Sequence, residues 1–133
     1  MPGIEPLPPA TVVGEWQDAA NRKDADRLVE LSHPNVEVVG PRGTGRGSNL
    51  LRDWLDRAGL QVQPHRVFTR DAFVVVEQDA VWHDAEGLTS GTARIASAFT
   101  VEAGRVTRFS RHDTLEEALT AAGLTPSDEV FRG

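Results

Sequence analysis

Apolar positions along the chain change period near residue 60. Before it they recur at helical spacing. Val12, Val13, Trp16, Ala19 and Ala20 share one face of a helix that begins near Pro9 and Ala10, where proline's fixed φ suits a first turn. Asn21 to Lys23 is a break. A short second helix follows, with Asp24 as N-cap and Leu28, Val29 and Leu31 inward, and Pro34 ends it. Val36 to Val39 reads as a short strand, and GPRGTGRGS (40–48) as a glycine-rich loop. Ser48 caps a third helix whose apolar stripe is Leu50, Leu51, Trp54, Leu55 and Ala58, with Gly59 as its left-handed C′ residue.

Beyond residue 60 the period is two. Strands are expected at about 62–70, 73–83, 91–102 and 105–112. In the third of them Ile95, Ser97, Phe99 and Val101 face one way, and Arg94, Ala96, Ala98 and Thr100 the other. Glu102, Ala103 and Gly104 make a tight hairpin turn, and DAEGLTSG (84–91) a longer one. Thr114 with Glu117 reads as a capping box opening a last helix, Leu115 to Ala122, closed by Gly123. The chain thus divides into a proline-rich arm (1–8), one α+β domain (9–123) and a polar tail (124–133), with helices first and antiparallel strands after.

Composition narrows the classes. Apolar residues at 39%, with no tyrosine and 12 glycines, match an ordinary globular core. No window of 18 apolar residues and no basic, apolar leader is present, so neither a membrane span nor a signal peptide is expected. With no cysteine, disulfides, thiolate chemistry and cysteine-bound metals are excluded, and a cytoplasmic location is the default expectation. The net charge of −6 argues against nucleic acid as a partner. The charge is uneven: residues 42–70 hold six arginines against Asp53 and Asp56. Arg42 and Arg46, in the glycine-rich loop before a helix, are candidate anion contacts, although the loop lacks the lysine and spacing of a phosphate-binding motif.

Three stretches carry a family resemblance: WQDAANRKDADRLVEL, NVEVVGPRGTGRGSNLLRDWL and FTVEAGRVTRFSRHDTLEEALTAAGL. Together the chain resembles the nuclear transport factor 2-like superfamily, and within it the SnoaL-like proteins. The resemblance implies a strongly curved, mixed or antiparallel sheet wrapped around three N-terminal helices, a cone with a pocket at one end, and a short C-terminal helix. It also implies a homodimer through the outer sheet face; Val75, Val81, Ala96, Ala98 and Val106 are candidates for that face or for the core, because strand parity alone does not tell concave from convex. Function is not settled by it, because the superfamily holds isomerases, hydrolases, cyclases, dehydratases and binding modules.

Residue by residue, the catalytic patterns of that superfamily are poorly matched. Where a ketosteroid isomerase has Tyr, Asp and Asp, this chain reads Trp16, Val38 and Ser97; indole and valine cannot move the proton. The Asp–Arg–Asp relay of the epoxide hydrolases has only scattered candidates in Asp79, Arg94, Arg108, Arg111 and Asp113. His112 and Asp113, at the end of the last strand, are the candidate acid/base pair, since imidazole titrates near neutrality. His33, His65, His83 and His112 show no metal-ligand spacing, and neither metal nor cofactor is expected. Trp16, Trp54, Trp82 and Phe99, with the polar Gln78 and Ser97 on apolar strand faces, are the candidate ligand pocket. The expectation is therefore a domain binding an apolar or aromatic small molecule. The alternatives are a cofactor-free isomerase, cyclase, dehydratase or hydrolase using His112, and a protein-interaction module.

Overall fold

The computed structural model describes residues 7–40, 43–57, 59–84 and 86–132. Its element order is α1 (Pro9–Asn21), α2 (Ala25–Glu30), β1 (Ser32–Gly40), β2 (Gly43–Arg46), α3 (Ser48–Arg57), β3 (Leu60–Arg70), β4 (Phe73–His83), β5 (Thr89–Glu102), β6 (Arg105–His112), α4 (Leu115–Ala122), a 3₁₀ turn (Pro126–Asp128) and β7 (Glu129–Arg132). One sheet holds all seven strands in the order β2-β1-β6-β5-β4-β3-β7. β3 to β6 form the expected antiparallel meander. β1 joins it through a parallel pairing with β6, in which Val38 lies opposite Phe109.

The helix signals act as their chemistry requires. Pro9 opens α1. Lys23 takes a left-handed φ of 58° at the break, and the Asp24 carboxylate caps α2 by accepting from the Arg27 amide at 3.1 Å. Thr114 Oγ1 accepts from the Glu117 amide at 3.2 Å, and Gly123 closes α4 with φ 70°. In the β5–β6 turn Ala103 and Gly104 both have positive φ, 51° and 79°, the geometry of a two-residue I′ turn. Ala103 bears a left-handed strain there that asparagine tolerates better. The substitution Ala103→Asn should therefore stabilise the fold by about 0.5–1 kcal/mol, read as a rise in the urea midpoint at constant m.

Three segments differ from the sequence expectation. The glycine-rich stretch is not only a loop: residues 43–46 pair antiparallel with β1, Arg46 opposite Glu37. Arg42 lies outside the described residues. Gly59 has no left-handed φ; it is needed because a Cβ there would lie 2.3 Å from the His83 carbonyl oxygen, whose own amide donates back to Gly59 O at 2.6 Å. The segment read as a polar tail carries β7, which pairs with β3, and Arg66 grips Glu129 across that seam with two bonds of 3.0 Å. Four residues reading Glu-Val-Phe-Arg, with no alternation, give too short a signal to distinguish a strand from a tail.

Each face of the sheet buries its own apolar cluster. The inner face, with Val74, Val76, Phe99, Val101, Val106 and Phe109, closes on α1, α2 and α3 through Val12, Trp16, Leu28 and Leu55. The outer face sets Phe68, Val75, Ala96 and Ala98 against Ala118 and Leu119 of α4 and against Leu124. Helix α4 thus covers much of the patch through which the resemblance implies pairing of two copies. Register shifts at Pro64/Arg66, Trp82/His83 and Thr100/Val101 interrupt the long strands, and such bulges bend a sheet around what it encloses. No helix among the described residues is long and apolar enough to cross a membrane.

Candidate functional site

The pocket opens where the C-terminal half of α1 faces the far ends of β3 to β6. Helix α1 supplies Trp16, Gln17, Ala20 and Asn21, helix α3 Trp54 and Leu55, and the sheet Leu60, Val62, Gln78, Ile95, Ser97, Phe109 and Arg111. Its empty space is about 420 Å³ with the open mouth counted. Within it, the room enclosed by the walls is only enough for about one water molecule.

Trp16 forms one wall and is almost wholly buried. It stacks on Trp54 at 5.9 Å between ring centres and meets Phe109 at 5.0 Å and Phe99 at 5.3 Å. Its indole N–H donates to Ser32 Oγ at 2.9 Å, and that hydroxyl donates in turn to the Leu28 carbonyl at 2.8 Å. The indole is therefore satisfied inside the protein and presents only its apolar body to the pocket.

A line of neutral polar groups crosses this apolar surface. Gln17 Nε2 donates to Gln78 Oε1, and Gln78 Nε2 donates to Ser97 Oγ at 3.0 Å. All three side chains are buried, so each depends on its neighbour for a partner. Beside them Asn21 brackets β3, its side chain accepting from the Val62 amide at 2.8 Å and donating to the Val62 carbonyl at 2.9 Å. This two-bond clamp fixes the end of α1 against the sheet. The Lys23 ammonium donates to Leu55 O at 3.0 Å across the opening.

The predicted site residues divide cleanly. Trp16, Trp54, Gln78 and Ser97 stand in the wall of this cavity. Phe99 lies on the same face, packed behind Trp16 and Phe109 rather than in the wall. Trp82 is also outside the wall and carries the Arg111 guanidinium over its ring at 5.3 Å. His112 does not face the cone. Ser110 and His112 pair with Ala98 and Ala96 on the outer face, where His112 Nε2 lies 2.9 Å from Ser110 Oγ, while Phe109 and Arg111 take the inner positions. Asp113 is exposed beyond the strand end. Arg46 is paired with Glu37 at 3.2 Å, so it is no free anion contact.

The scattered relay candidates are not brought together either. Asp79 and Arg94 pair at 3.0 Å on the outer face, where the guanidinium's hydrogen bond holds the Asp79 carboxyl below its usual range. Arg108 pairs with Glu37 at 2.8 Å. Among the described residues no group of three His, Asp or Glu side chains is placed to hold a metal ion.

Two pocket residues had a sequence signal that went unread. Gln17 sits on the α1 face of Val13 and Ala20, a polar residue in an apolar stripe just as Gln78 is on its strand. Arg111 follows from Phe109 by the two-residue period once Phe109 is taken as inward.

With the cone and its pocket in place, the SnoaL-like domain family matches residues 13–109. The chain belongs to that family. Solved structures of this SnoaL-like chain's relatives agree on the fold. An NTF2-like protein from Cytophaga hutchinsonii superposes with a TM-score of 0.71 at 17% identity, covering 88% of this chain and 97% of that one. TerC, co-crystallised with polyporic acid, gives 0.71 at 19% identity over 87% and 98%. An epoxide hydrolase of the LEH-like type from Mycobacterium tuberculosis gives 0.69 at 19% identity over 86% and 88%. At these identities the likeness carries the fold alone. Among curated proteins no relative matches the chain by sequence.

Proposed function

We propose that this SnoaL-like domain binds an apolar, at least partly aromatic small molecule in the pocket between α1, α3 and the inner sheet face. The observation that carries the reading is the make-up of the wall: aromatic and aliphatic side chains around one buried line of neutral hydrogen-bonding groups, Gln17, Gln78 and Ser97. Such a surface desolvates a hydrocarbon body, and the internally paired amide line lets it do so without leaving a buried polar group unsatisfied. A ligand of that kind requires Trp54 and Leu60, both half-buried in the wall, to swing outward. The alternative of acid–base catalysis by His112 draws no support from the geometry, because that imidazole lies on the opposite face of the sheet.

Two of the three tryptophans line the pocket, so intrinsic fluorescence reports occupancy directly. Titration with planar aromatic compounds should quench it along a saturable curve, with a negative heat capacity of binding in calorimetry. Linear, non-saturating quenching across the whole set would overturn the reading.

A further inference from the structure

Among the described residues, Arg22, Arg27, Arg46, Arg52, Arg66, Arg94 and Arg108 each face an Asp or Glu within 3.2 Å. Arg111 is placed otherwise. It stands in the pocket wall, and among the described residues no carboxylate lies within ion-pairing distance of it. The wall itself contains no Asp or Glu among those residues, and its second cation, Lys23, is at the same site. Trp82 supports the guanidinium from one side, its ring centre 5.3 Å from the guanidinium carbon. Stacking of this kind fixes the plane and leaves the N–H edges for a further acceptor. An uncompensated positive charge beside apolar walls is poorly screened and attracts an anion more strongly than one in open water.

We infer that the pocket's ligand is a carboxylate with an apolar or aromatic body, its two oxygens on the Arg111 fork and its body between Trp54, Leu60, Val62 and Ile95. The inference rests on the binding function proposed above and deepens it. A carboxylate is the favoured anion because its planar pair of acceptors matches the guanidinium's parallel donors. Gln78 and Ser97 already satisfy one another, so the charge is recognised by Arg111.

The test is calorimetric titration with 2-naphthoate and its uncharged counterpart 2-naphthamide. Wild-type protein should bind naphthoate at least about ten-fold more tightly, the gain of a charge-assisted hydrogen bond. Arg111→Met should bring the two probes to equal affinity with naphthamide unchanged, and Arg111→Lys should keep part of the preference. Equal affinities in the wild type, or a preference that survives in R111M, overturn the carboxylate inference and leave the apolar pocket standing. If neither probe binds the wild type, the pocket reading fails and this inference with it. The wild-type comparison decides the matter even if a variant fails to fold.

Discussion

Replacing Trp16 by alanine should cost about 4 kcal/mol of folding stability, at the upper end of large-to-small core substitutions. The side chain is 1% exposed and sits at the centre of an aromatic cluster, in contact with Trp54, Phe99 and Phe109. Removing it opens a cavity between α1 and the sheet that the fixed neighbours cannot fill, and it strips Ser32 of its indole donor. A domain of this size commonly has about 5–15 kcal/mol in all, so W16A would leave it close to the limit of folding. Trp16→Phe keeps most of the packing and loses the hydrogen bond, so its cost should be nearer 1–2 kcal/mol. Urea denaturation followed by far-ultraviolet circular dichroism measures both. A W16A loss under about 1 kcal/mol would show that the cluster does not hold α1 to the sheet.

The second large effect is at Gln78. Gln78→Met keeps the shape and removes both the oxygen and the nitrogen of the amide, leaving Gln17 Nε2 without its acceptor and Ser97 Oγ without its donor inside the core. The expected cost is about 2–3 kcal/mol, chiefly the desolvation of groups left unpaired. Adding Gln17→Met removes one of those orphans, so the double variant should be less destabilised than the two single costs added together. A coupling of about 1 kcal/mol or more in this double-mutant cycle is expected. Strict additivity would mean that the two amides do not depend on each other. The cycle also separates stability from recognition: since the line is satisfied internally, Q78M should disturb naphthoate affinity far less than R111M.

What was legible in the sequence was whatever repeats over many residues. The α1 stripe, the long alternations of β4 and β5 and the Thr114 and Gly123 caps all rest on local chemistry, and the structure has each of them. Two of the short strands were not legible. β2 and β7 have four residues each, and their pairing comes from partners distant in sequence, which no local period reports. The site followed the same division. Trp16, Trp54, Gln78 and Ser97 were found because their faces could be read from neighbours on the same element. Arg111 and not His112 stands in the cavity wall because the two are adjacent on a strand, and one position decides between opposite faces. Sequence adjacency to the α4 cap made His112 conspicuous, whereas the inward register set by Phe109 made Arg111 the pocket residue. The outer face was harder still, since nothing in the pattern of β4 and β5 shows that α4 folds back over Val75, Ala96 and Ala98.

The parallel pairing of β1 with β6 also dictates a sequence of events during synthesis. β1 is complete at Gly40, but its Val38 finds Phe109 only after nearly seventy further residues have left the ribosome. Closing so long a loop is slow, because the entropy is lost before the contacts are gained. Until then the inner sheet face that closes on α1 to α3 has Val74, Val76, Phe99 and Val101 but lacks Val106 and Phe109, and β1 has no neighbour on its β6 side. For this domain, then, the last quarter of the chain acts as the release signal for folding. A chain truncated before β6 should emerge as a client for chaperones rather than as a smaller folded protein.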